Sequence, residues 1–516
     1  MPPKRSRKIS KPVTPHVSAN QSTYFPLNLI SWLHETDGSH LVLPLILVFT
    51  ILIKWRKGQE PIHGDFEAQR HWIEITYHLP INMWYRYDLK YWGLDYPPLT
   101  AYHSLIMGEF ANAIQPSWIA LDTSRGIESE SLTVFMRATA LITEYLIYVP
   151  ALIMFVRNSW YRTRQSQDLW ILLVLMQPAL MIIDHGHFQY NSAMLGLSLL
   201  AIACFASNRY LYGAASFVAA IFFKQMALYY ALPIFAWLLG RCVGGGSQRS
   251  PSFSHGFKLF IELGISVLIT TTILLSPFLV ASSPLDELAQ ILHRVFPIER
   301  GLFEDKVASF WCALNVIIKL RTLFSTQLLL GLSTGCTLLA LAIPCVNAFV
   351  YPWSLKRLVY GLTASSLTFF LFSYHVHEKS ILLAVMPVTL LVMEEGAVAV
   401  WFNNVAMFSM WHLIQKDGLQ LPYFGILTLF NFFTWSYFAE EWNGIRWRIV
   451  VLSHLLLASL HALEYMLPPP ERYPHIHVVG NVLVSAAHFC GFLVYFTWRM
   501  VHMPPHDEIV DRKKDE

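Results

Sequence analysis

The sequence predicts an all-α polytopic membrane protein: one helical domain that crosses a bilayer about fourteen times. Three observations predict it. Of 516 residues, 54% are hydrophobic and only 14% charged, whereas soluble domains carry roughly 25% charged residues. The mean hydropathy is +0.42, and the apolar excess runs along the whole chain, as in one membrane domain and unlike a string of soluble ones. The polar, chemistry-capable motifs fall between apolar runs, not inside them. A net charge of +3, scattered along the chain, gives no basis for a nucleic-acid partner.

Apolar segments lie near 39–55, 133–157, 168–183, 190–206, 210–223, 225–240, 257–280, 326–350, 357–374, 379–394, 397–414, 421–438, 447–464 and 478–500. Several fall short of the roughly 20 residues a straight span needs, so tilt or extension by neighbouring motifs is expected. Lys4, Arg5, Arg7, Lys8 and Lys11 open the chain with no apolar run close behind, so no cleavable signal is expected and the first span is kept. Placing that basic end in the cytosol puts Arg162, Arg164, Arg209, Arg241, Arg249, Lys356, Arg357, Arg446 and Arg448 in alternate cytosolic loops, as short-loop positive charge requires. Lys54, Arg56 and Lys57 oppose this, falling on the far side at the head of a loop long enough to weaken the rule. The expected divisions are a cytosolic basic tail, 1–38, a transmembrane domain, 39–500, and a cytosolic tail, 501–516. Loops 56–132 and 281–325 lie on the non-cytosolic face, with 184–191 and 375–379; the apolar stretch 307–319 is expected to lie on or dip into the surface. The sequon Asn20-Gln21-Ser22 falls on the cytosolic side, unmodified. The six cysteines show no C-x-x-C and read as small core hydrophobes, without a disulfide framework.

In the first loop, Trp72, Ile75, Thr76 and Leu79 recur at helical spacing after Asp65, and Pro80 ends the run. A second helix is expected after Pro97-Pro98, with Leu99, Tyr102, Leu105, Ile106 and Phe110 on one face. Both read as amphipathic helices along the bilayer surface, among interfacial tryptophans. By itself Asp65 is an ordinary N-cap, and Asp95, before a proline pair, an ordinary turn residue. Asp184-His185-Gly186-His187 and His375-Val376-His377-Glu378 each set H-x-H beside a carboxylate. That spacing lacks the i, i+4 register of helical zinc enzymes, so no metal is expected. The stretch 293–311, with His293, Arg294, Arg300 and Lys306 beside aromatics, is either a solvated loop with internal ion pairs or a seat for a lipid phosphate. P-loop, G-x-G-x-x-G, G-x-S-x-G and D-x-D motifs are absent, and no non-membrane segment is large enough for a nucleotide-sugar domain. Substrates that arrive within the bilayer are expected.

Several segments together resemble one family: Gly64 to Trp72 (GDFEAQRHW), Tyr91 to Tyr102 (YWGLDYPPLTAY), Asp184 to Asn191 (DHGHFQYN), Phe223 to Tyr230 (FKQMALYY), Arg300 to Trp311 (RGLFEDKVASFW) and His377-Glu378-Lys379. They look like the endoplasmic-reticulum dolichyl-phosphate-glucose-dependent α-1,3-glucosyltransferases of the GT-C fold, from about residue 60 to the C-terminus. The D-F-E-A-Q-R-H-W form and the glycine of D-H-G-H resemble the members that add the first glucose. The resemblance implies transfer of glucose, with inversion, from dolichyl-phosphate-glucose to the dolichyl-pyrophosphate-linked nonamannosyl precursor, on the lumenal face. It implies lipid-linked donor and acceptor as partners and no cofactor. The family's base maps onto Asp65. Donor-phosphate binding is then expected of His377, Lys379 and Arg300, and acceptor contact or bracing of the first loop of Glu67, Arg70, Asp95 and His187. An inverting glycosidase needs two carboxylates; a dolichyl phosphate leaves as a stable anion, so one base with nearby cations suffices. The end Lys513-Lys514-Asp515-Glu516 resembles a dilysine retrieval signal. The rival readings are the sister enzyme that adds the second glucose, a dolichyl-phosphate-mannose-dependent relative, and a transporter. A transporter would show inverted repeats and interrupted helices, which the sequence lacks.

Overall fold

The computed structural model describes residues 25–55, 64–161, 163–244, 252–280, 283–296, 306–439 and 445–504. The N-terminal basic cluster, the sequon at Asn20, Arg56 and Lys57, Arg162, Arg249, Arg300 and the dilysine end lie outside the described residues. Every regular element among the described residues is helical, and helix covers each of the apolar segments marked by the sequence. Among the described residues, six helices are by themselves long and apolar enough to cross a bilayer, or seven when the bent pair Arg164–Leu175 and Pro178–Phe188 is taken as one span. Length and apolarity alone therefore do not deliver the expected fourteen. The shortfall has a physical basis: Asn191–Ala206 is short but sheathed almost entirely by other helices, and such a helix need not match the lipid thickness. Phe253–Leu279 is the opposite case, with 6% of its apolar window buried in protein against 61% for Glu130–Asn158. The first faces lipid; the second belongs to the bundle core.

Among the described residues, two of the segments that depart from α geometry bear on the site. Glu144–Tyr148 and Ile183–Phe188 are π-helical, a widened turn that tends to occur at functional sites. They meet through Glu144, whose carboxylate accepts from Lys54 Nζ at 2.5 Å and faces His185 Nε2 at 2.6 Å. This accounts for one basic residue that opposed the charge rule: Lys54 is buried and ion-paired inside the protein, not a loop charge.

The first loop forms helices Asp65–His78 and Pro98–Ile114. The first is not a surface helix, since Phe66 through Thr76 are all buried. The second buries its small residues Ala101, Ser104, Gly108 and Ala111 and turns Ile106 and Phe110 outward, as a helix beside lipid should. Gly108 lets the two helices close up: a Cβ there would lie 2.9 Å from Tyr77 Cβ. In the 307–319 stretch, Phe310–Ile317 is an eight-residue helix, about 12 Å long against a hydrocarbon core of about 30 Å, too short to span.

Contacts sort the connections into two groups. Tyr161 and Lys356 both meet Glu394, at 2.7 and 3.3 Å. Arg241 donates to the Pro352 carbonyl, Arg357 to those of Met500 and Met503, and Arg499 pairs with Glu395. All of these lie in or beside loops expected on one face. Of the loops expected on the other face, 56–132, 184–191 and 375–379 meet at the cluster described next.

Candidate active site

Asp65 is the first residue of its helix, after Gly64 at φ 127°, a conformation that favours glycine. Gly64, which has no side chain, is therefore the N-cap, and Asp65 stands one position inside the helix rather than capping it as the sequence alone suggests. Instead Asp65 Oδ2 accepts from Gln189 Nε2 at 2.5 Å and from Lys379 Nζ, and lies 2.8 Å from His187 Nε2. Three segments far apart in sequence thus converge on one oxygen. The Asp65 side chain keeps 28% exposure, so it can still be reached. Burial alone would push this carboxyl up, but the Lys379 charge and the His187 contact together hold it well below the ordinary carboxylate range.

The π-helical turn Ile183–Phe188 delivers His187, and its neighbours fix that turn. Asp184 is buried and accepts from Ser192 N at 2.6 Å and Asn191 Nδ2 at 2.9 Å. Asn191 Oδ1 in turn accepts from Lys224 Nζ at 2.7 Å, and that ammonium sits 4.8 Å over the Tyr96 ring. Burial, then the nearby Lys379, pushes the Lys224 ammonium down to about 8. The negative charge of Asp95 opposes this shift, which places Asp95 in the same electrostatic neighbourhood.

His377 caps the short helix Glu378–Ile381: its Nδ1 accepts the Lys379 amide at 3.3 Å. That bond leaves Nε2–H as the free donor of a neutral ring. Burial and then the Lys379 charge push His377 down to about 3. Glu67 and Arg70 face away from the Asp65 carboxylate, into the first loop. Arg70 is fully buried and grips Glu67 through Nε at 2.8 Å and Nη2 at 2.6 Å. Its Nη1 donates to Glu74 at 2.8 Å, Ser124 at 2.7 Å and the Trp118 carbonyl at 3.2 Å, while Glu67 also accepts from Tyr91 and the Gly126 amide. The expected residues therefore divide: Asp65, His187 and Lys379 touch one another, His377 adjoins them, Asp95 lies beside Lys224, Glu67 and Arg70 tie the loop, and Arg300 lies outside the described residues.

Sequence reasoning passed over three residues here. Gln189 and Lys224 stand inside quoted motifs, so proximity to H-x-H and to a buried charge was the available signal. Asp417 had none beyond Asp-Gly, an ordinary turn pair. The two H-x-H motifs do not assemble with other side chains into a group of three or more metal-ligand residues among the described residues.

A bundle of membrane-spanning type that gathers a reachable carboxylate with amine and imidazole groups has the makings of a polytopic membrane enzyme. Residues 45–496 match the ALG6, ALG8 glycosyltransferase family; the chain belongs to it. Among curated proteins it is 39% identical to the dolichyl pyrophosphate Man9GlcNAc2 alpha-1,3-glucosyltransferase of Gallus gallus, over 88% of this chain and 96% of that one. It is likewise 39% identical to the protein of that name from Saccharomyces cerevisiae, over 86% of each chain. A probable one from Schizosaccharomyces pombe is also 39% identical, over 92% of this chain and 94% of that one.

Proposed function

We propose that this chain is the α-1,3-glucosyltransferase that moves glucose from dolichyl-phosphate-glucose to dolichyl-pyrophosphate-linked Man9GlcNAc2, at the lumenal face of the endoplasmic reticulum. The observation that carries the reading is the convergence of Asp65 with Lys379 and His187 at one oxygen, in a chain whose relatives carry that activity in their names.

The chemistry follows from this geometry. The acceptor hydroxyl oxygen attacks the anomeric carbon on the face opposite the phosphate. Asp65 takes the hydroxyl proton. The bond from C1 to the phosphate oxygen breaks, and its electron pair leaves on dolichyl phosphate, giving inversion from β to α. No acid is needed for that leaving group, and the cations meet its charge. Lys379 stands where it can serve two anions, Asp65 and the donor phosphate; His377, its Nε2–H uncommitted, is a second donor to that phosphate, and Arg300 a third. Glu67 and Arg70 brace the loop that carries the base, and Asp95 with Lys224 forms the adjoining wall.

The test is the lipid-linked oligosaccharide that accumulates when the gene is lost. The reading predicts a precursor with nine mannoses and no glucose. A monoglucosylated precursor would instead assign the chain to the second glucose, and an unchanged, fully glucosylated profile would remove it from the pathway.

A further inference from the structure

His187 is held from both sides. Its Nε2 faces Asp65, and its Nδ1 faces Oδ2 of Asp417, in the turn between helices Trp411–Lys416 and Gln420–Ala439. Two backbone features bring that turn in. Gly418 adopts φ 65°, which glycine tolerates without strain. Gly186 presents no side chain to Leu419: a Cβ there would lie 3.0 Å from Leu419 Cδ1. The π-helical segment and the 417–419 turn therefore touch, with Leu419 packed on the bare face of Gly186.

We infer that Asp417 is a positioning residue for glucosyl transfer, acting through His187 on the Asp65 carboxylate. An imidazole with a carboxylate oxygen at each nitrogen makes full use of both contacts only when each nitrogen carries a hydrogen. Asp417 supplies the second anion that this state needs and fixes the ring plane, so Nε2–H points at Asp65. The other charged and titratable groups around the ring are Lys379, at 3.1 Å from Nε2, and His377 on the same segment. With Lys379 opposing a positive ring, the anion at Nδ1 decides whether His187 donates to Asp65 or turns a lone pair towards it. A donor at that oxygen orients the carboxylate and leaves its other oxygen free for the acceptor hydroxyl. The inference rests on the reading of Asp65 as base and goes beyond it, since it assigns a distant turn to the same step.

A double-mutant cycle in purified full-length protein tests this, with kcat and both KM values measured using dolichyl-phosphate-glucose and the lipid-linked acceptor. Asp417→Asn should lower kcat by at least about 10-fold, with the 10²–10⁴-fold that a positioned base supplies as the upper bound, while both KM values stay within about 3-fold. In a His187→Gln background, Asp417→Asn should cause no further loss, because the pathway is already cut. Independent, multiplying losses would overturn the inference, as would wild-type turnover by Asp417→Asn. Asp417→Ser is carried through the same cycle, so that poor folding of one variant does not decide the outcome. Asp65→Asn runs alongside. If it keeps full turnover, the base assignment itself fails; if it is inactive while Asp417→Asn is normal, only the role of Asp417 fails.

Discussion

Asp65 carries contradictory pressures, and their balance sets how it can act. Burial favours the neutral acid, while Lys379 and His187 favour the anion and prevail, so the carboxyl lies well below its ordinary range. In the proposed role of base, Asp65 must be deprotonated, and a lowered value means that it remains so until the solution is strongly acidic. The acid limb of kcat/KM should therefore lie below about pH 4, under the unperturbed carboxylate value. Lys379→Gln removes the largest stabilising charge; its acid limb should move to higher pH, whatever it also costs in donor affinity. A pH–rate profile of the two proteins checks this, and an unmoved limb would dissociate Lys379 from the ionisation of Asp65.

At the scale of elements, the proposed catalytic face depends on how the first loop is tied down. Between Phe66 and Thr76 the first-loop helix offers solvent almost nothing, and Arg70 within it neutralises Glu67 and Glu74 at once. Burial would raise the Glu74 carboxyl, but the bond to His71 and the Arg70 charge bring it down to about 2. Breaking such a buried pair from one side strands its carboxylates, at a cost of about 3–5 kcal/mol. Arg70→Met should destabilise the protein by that order, read as a lowered thermal midpoint in detergent, with transfer activity falling as the loop loosens. The Glu74 share has a definite sign: its folded value is depressed, so the stabilisation is present above about pH 4.5 and is lost as the pH falls towards about 2. This bracing shows what the sequence could and could not reveal. Three-to-four spacing placed the helix from Asp65 to Pro80 within two residues of its observed end, because the apolar period is local. Its near-complete burial was not legible, because the covering partners Trp118, Ser124 and Gly126 come from later in the loop. Asp417 was hidden for the same reason: a turn residue acquires chemistry only through a neighbour that is remote in sequence. Asp65, His187 and Lys379 were singled out through the family resemblance, since by itself Asp65 reads as an N-cap.

At the scale of the whole molecule, residues as far apart as Asp65, His187, Lys224, Lys379 and Asp417 share one neighbourhood, which is what the alternating thread expected from the sequence would produce. Counting crossings from the first apolar segment puts all five at its far end, and puts Arg241, Lys356, Glu394 and Arg499 at the near end, where their contacts also join. The same thread predicts accessibility. In a protein made cysteine-free, Cys at Thr123 and Cys at Asn208, both exposed positions, should react with an impermeant thiol reagent from opposite sides of sealed microsomes. Asn208 should label from the cytosolic side, and Thr123 only after the membrane is opened. Labelling of both from one side would break the alternation.

The account stands most directly on glucosyl transfer by the purified protein and its Asp65→Asn variant, followed with labelled dolichyl-phosphate-glucose and the Man9GlcNAc2 lipid acceptor. It predicts an α-linked product from the native chain and a rate lower by about 10²–10⁴-fold, the contribution of a positioned base, from a variant that still folds and binds donor. Transfer at the native rate by Asp65→Asn would contradict it.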